Sequence, residues 1–111
     1  MEQAQRTHDT DFEEKEVVHI DASFEALIPR FLTNRKKEVT AMQEALASRD
    51  FDTVRKIAHG AKGAGGSYGF DRITEMAAAI EQAAKTSDEA TIQRELPILS
   101  AYLNRLEVVY D

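Results

Sequence analysis

At 111 residues the chain is the length of one domain, long enough to bury a core, and its net charge of −6 argues against nucleic acid or an anionic membrane as the main partner, since both reward a basic face. Hydrophobic residues at 42% and charged residues at 31% describe a folded, soluble chain, and the absence of cysteine excludes disulfides and thiolate-based metal or redox sites. No apolar run approaches the roughly 20 residues that span a bilayer, and the acidic stretch before Val17 lacks the basic end and apolar centre of a signal peptide. The chain is therefore read as cytoplasmic.

In chain order, residues 1–20 are poor in large apolar side chains and read as a mobile or short-helical leader, ending in the short apolar segment Val17, Val18 and Ile20. Asp21 or Ser23 is a candidate N-cap for the first helix. Phe24, Leu27, Ile28, Phe31, Leu32, Val39, Met42 and Leu46 recur at three- and four-residue steps, an amphipathic helix interrupted by Pro29. Proline removes a helical donor and clashes with the preceding turn, so it predicts a kink, or a break with Pro29 opening a longer helix that ends near Ser48. Asp50 reads as the cap of the next helix, and Asp71 as the cap of another that carries Ile73, Met76, Ala77, Ile80 and Ala84. Thr86 and Glu89 stand at capping-box spacing, and the last helix carries Ile92, Leu96, Leu99, Leu103, Leu106 and Tyr110, with a kink expected at Pro97. Strand-like alternation is almost absent. These elements predict an all-α fold, an antiparallel four-helix bundle over 21–111 with a short additional N-terminal segment.

All five glycines, Gly60, Gly63, Gly65, Gly66 and Gly69, fall in one helix-like segment with His59 and Lys62. A helix-interior glycine costs roughly 0.5–1 kcal/mol relative to alanine, so the concentration needs a cause. An α-helix turns about 100° per residue, which puts Ile57, Ala58, Ala61, Gly65 and Tyr68 within about 60° of Val54, on the core face. Arg55, His59, Lys62, Gly63 and Gly66 fall on a flank open to solvent. His59 and Lys62 stand one above the other there, and the adjacent glycines carry nothing that could cover the ring. A neutral imidazole nitrogen is a competent nucleophile that forms covalent intermediates, and Lys62 sets a positive charge beside any anion attached to it. A phosphoryl group fits, because its transfer depends on positioning and charge stabilisation. No acid that could act as a strong base lies on the flank itself.

The segment Ala58-His59-Gly60-Ala61-Lys62-Gly63, followed by Gly69, Phe70 and a helix opening near Asp71, resembles the histidine-containing phosphotransfer (HPt) domain, with its motif His-x-x-Lys-Gly and a further glycine six residues on. The resemblance extends from near Asp21 to the C-terminus. It implies a relay protein of two-component signalling, whose histidine takes a phosphoryl group from an aspartyl phosphate on a receiver domain or returns it. It implies no ATP-dependent kinase activity and no intrinsic cofactor, the receiver supplying Mg²⁺. On these residues His59 would be the phosphoacceptor, Lys62 its charge partner, Gly63 the residue that leaves room, and Gly69 the turn into the next helix, with Gly66 in support. Members of the family often place a Gln on that next helix to bond the histidine; here the position holds Glu81, with Gln82 beside it. Receiver pockets are acidic, so Arg55, Lys56 and Arg72 are candidate partner-binding residues for receiver domains on response regulators or hybrid kinases. The protein is expected to act as a monomer.

Other readings are weaker. A nucleotide P-loop needs its lysine after the glycines and a preceding strand, and a dinucleotide fingerprint would need a glycine where Tyr68 stands. No second metal ligand flanks His59. His8 and His19 have no comparable context. The alternative function is a helical adaptor that binds receivers or kinases without carrying phosphate. A histidine kinase dimerisation domain would place an acid directly after the histidine, where this chain has Gly60.

Overall fold

The computed structural model describes residues 15–111. Its elements in order are strand β1 (Glu16–Ile20), a 3₁₀ turn (Ala22–Phe24), helices α1 (Ile28–Ala47), α2 (Phe51–Tyr68), α3 (Asp71–Lys85) and α4 (Glu89–Arg105), and strand β2 (Leu106–Tyr110). The chain thus folds as a four-helix bundle. No helix among the described residues is long and apolar enough to cross a membrane.

The helix boundaries follow from local chemistry. Pro29 occupies the first turn of α1, where the amide it lacks would have had no helical partner. Asp50 caps α2 through Thr53, accepting from its backbone N–H at 3.1 Å and its hydroxyl at 2.6 Å. Asp88 caps α4 through Thr91 in the same way, at 3.2 and 2.7 Å. The expected Thr86–Glu89 capping box is therefore replaced by an Asp-x-x-Thr cap two residues further on, because the aspartate reaches both groups of a single threonine. Likewise Phe70, not Asp71, is the N-cap of α3, and Asp71 is its first residue. Asp21 caps the 3₁₀ turn, accepting from the Ser23 N–H at 2.8 Å, and not the first helix, whose N-cap is Leu27 without a side-chain cap bond. Pro97 lies inside α4, which continues past it to Arg105.

Contacts nest about each short connection. Phe31, in the first turn of α1, meets Tyr68 at the end of α2 (ring centroids 5.2 Å apart). The Thr74 hydroxyl donates to the Lys62 carbonyl at 3.3 Å across α2 and α3. Arg72 at the start of α3 lies 5.5 Å over the ring of Tyr102 near the end of α4. Consecutive helices accordingly run in opposite directions. The core they share includes Met42, Val54, Ala58, Ile73, Ile80, Ile92, Leu96 and Tyr102, all buried. Phe70 stacks on Phe31 at 4.9 Å, and Phe24 meets Tyr68 edge-on at 5.2 Å, closing the end of the bundle where α2 turns into α3.

Two expectations change. Residues 1–14 of the expected leader lie outside the described residues, but Glu16–Ile20 is not helical: it is β1, paired in parallel with β2 in the register Glu16↔Leu106 to Ile20↔Tyr110. Consequently Leu106 and Tyr110 belong to a strand, and α4 ends at Arg105. Their spacing of four residues satisfies a helical period and a period of two equally, so the leucine stripe of α4 runs into the strand without a visible break. Ile20 is buried, Val18, Leu106, Val108 and Tyr110 pack partly on the core, and Val17 and Val109 face outward.

Candidate functional site

On α2 the residues Val54, Ala58, Ala61 and Gly65 are buried, while Ile57 and Tyr68 are half-buried at the margins of that face. His59 stands on the opposite flank with 67% of its side chain exposed. Its Nδ1 lies 2.9 Å from Oε2 of Glu81, which projects from α3 and is only 7% exposed. The other carboxylate oxygen, Oε1, lies 2.7 Å from Nζ of Lys62. One buried carboxylate therefore joins the two residues that the helical period stacks together, and the acid missing from the α2 flank comes from the neighbouring helix.

The electrostatics fix the direction of this hydrogen bond. Above all the Lys62 ammonium, and in smaller part the bond from His59, hold the Glu81 carboxyl below the ordinary carboxylate range. Burial acts in the opposite sense but is outweighed, since what covers the carboxylate includes the two donors themselves. An ionised carboxylate can only accept, so Nδ1 of His59 carries the proton and donates it. In the neutral ring Nε2 is then the nitrogen that carries no proton. Gln82, the other candidate on α3, is exposed and makes no hydrogen bond to His59.

The glycines divide by environment. A Cβ at Gly60 or Gly63 would meet nothing within 4 Å, and one at Gly66 only the Thr74 hydroxyl at 3.9 Å, so the helix surface around His59 is bare backbone. At Gly65 a Cβ would fall 2.7 Å from Oγ1 of Thr74 and 3.2 Å from the Phe70 carbonyl, so that glycine serves close packing of α2 on α3. Gly69 ends α2 in the left-handed region, with φ of 86°, and its N–H bonds the Gly65 carbonyl.

The expected basic patch is only partly assembled. Arg55 and Lys56 lie on α2 one turn before His59, but both pair with Asp52, at 2.8 and 3.1 Å. Arg72 is not at the site. It lies nine residues before Glu81 on α3, about 13 Å along the axis at 1.5 Å per residue, and its guanidinium covers Tyr102. Sequence reasoning overlooked Asp52, whose three- and four-residue spacing to Arg55 and Lys56 was the available signal. It also overlooked Thr74, which bonds the Lys62 carbonyl; a threonine in the first turn of α3 gives no local sign of that contact. Among the described residues no group of three or more His, Cys, Asp or Glu side chains is placed to hold a metal ion.

Compared with known protein families, residues 26–108 match the family described as the Hpt domain. No curated protein and no solved structure gives a significant match. The matched stretch contains all four helices and the whole His59–Lys62–Glu81 cluster.

Proposed function

Since this chain belongs to the Hpt domain family, whose members carry phosphoryl groups in two-component phosphorelays, we propose that His59 is its phosphoacceptor, exchanging the group with an aspartyl phosphate of a receiver domain. The observation that carries the proposal is the ring itself: it is exposed on bare helix and its Nδ1 lies 2.9 Å from the Glu81 carboxylate, a bond that in the neutral ring leaves Nε2 with its lone pair. In the forward step Nε2 attacks phosphorus, the acyl phosphate P–O bond breaks, and its electron pair returns to the receiver's carboxylate. Lys62 offsets the Glu81 charge, so the site does not meet an incoming phosphoryl group with an unbalanced anion. The open surface at Gly60, Gly63 and Gly66 lets the receiver's pocket close over the ring, and that receiver brings the Mg²⁺ on which its own chemistry depends. The protein acts as a phosphocarrier in the cytoplasm, as a monomer, without ATP-dependent kinase activity.

The test is transfer from a radiolabelled phospho-receiver. Label stable to base and labile to acid should appear on the wild-type protein and be absent from His59→Gln. Persistence of label in that variant removes His59 from the role, and unimpaired signalling by it would make the protein a non-phosphorylated adaptor.

A further inference from the structure

The Glu81 carboxylate does more than a neutral hydrogen-bond acceptor could at the same position. We propose that it makes the phosphorylated ring a ready donor at neutral pH by holding the proton on Nδ1, a role that rests on phosphorylation of His59. When the phosphoryl group leaves, the N–P bond breaks and its electron pair stays on Nε2. If Nδ1 is protonated, the leaving group is neutral imidazole; if it is not, the leaving group is imidazolate, a far stronger base and a far poorer leaving group. The protonated ring is cationic, and an anion 2.9 Å from Nδ1 favours it over the unprotonated form. With only 7% of the Glu81 side chain exposed, water screens this attraction less than it would at the surface. In the reverse step the same carboxylate balances the positive charge that develops on the ring as Nε2 bonds to phosphorus.

The surrounding charges set the size of the effect. On α2, Lys62 shares the carboxylate and opposes it, while Arg55, one turn before His59, is committed to Asp52. On α3, Gln82 is neutral and Lys85 is exposed one turn beyond Glu81. Among the described residues α1 and α4 place no charged side chain in hydrogen-bond or ion-pair contact with His59 or Glu81. The pair thus works against one partly compensating cation, which limits the expected shift to about one pH unit, or roughly tenfold in rate on the sloping limb.

The experiment phosphorylates the full chain with phosphoramidate, in which Nε2 displaces ammonia, and follows loss of the phosphohistidine ³¹P resonance between pH 5 and 9. The midpoint of the pH–rate profile should lie about one unit lower in Glu81→Gln than in the wild type, making its phosphohistidine roughly tenfold longer-lived near neutrality. Lys62→Gln, which removes the opposing cation, should move the midpoint upward and provides a second reading if Glu81→Gln folds poorly. Superimposable profiles for wild type and Glu81→Gln, or a downward shift in Lys62→Gln, overturn this role while leaving His59 the phosphoacceptor. Absence of a resonance that His59→Gln abolishes overturns the phosphotransfer reading, and this one with it.

Discussion

The glycines of α2 make opposite predictions although they are neighbours. Gly60→Ala and Gly63→Ala add a Cβ into open space in a helical backbone and should each raise stability by about 0.5–1 kcal/mol. Gly65→Ala drives its Cβ against Thr74 and the Phe70 carbonyl and should cost about 1–3 kcal/mol. Chemical denaturation of the three variants separates these outcomes. If the bare surface serves a closing partner, Gly63→Leu should slow phosphotransfer from a receiver while leaving labelling by phosphoramidate nearly unchanged. The helical period places Gly65 on the buried face and Gly63 and Gly66 on the open one, because helix geometry alone fixes those angles. It could not supply Glu81, which reaches His59 from another helix; that contact depends on how α3 is rotated against α2.

At the scale of elements, the helices were legible because each carries an apolar stripe and three of the four are bounded by aspartate caps or proline. The strands were not. Their pairing is between residues 90 positions apart, and nothing local distinguishes Leu106 and Tyr110 from two more steps of the α4 stripe. Packing of this pair on the bundle is nonetheless uneven, with Ile20 only 3% exposed and Val17 51%. Ile20→Ala should therefore cost about 2–4 kcal/mol and Val17→Ala well under 1, measured by urea unfolding. Equal costs would mean that β1 does not pack on the core in solution as described.

Over the whole molecule, charge couples stability to pH. Asp21, Asp50 and Asp88 are held below the ordinary carboxylate range mainly by hydrogen bonds to Ser23, Thr53 and Thr91, Asp52 by Arg55 and Lys56, and Glu81 by Lys62 first. Each folded-state pKa lies below its unfolded value, so the stability these groups add is complete at neutral pH and disappears as pH falls through the carboxylate range. Urea midpoints should drop between pH 6 and pH 3. The four aspartates act at the surface and their part should weaken with added salt, whereas Glu81, nearly covered, should keep its part. Glu81→Gln should therefore flatten the salt-resistant portion of the profile, and an unchanged profile would count against the ion pair.

The parallel pairing of β1 with β2 also determines how the molecule bears load. A force drawing Glu16 backward and Tyr110 forward pulls the two strands lengthwise past each other, because both run the same way in register. Their evenly spaced hydrogen bonds then resist together instead of parting one after another. The pair is a clasp across the bundle: until it slips, tension applied at its two ends bypasses the helices and leaves His59 on an undistorted α2.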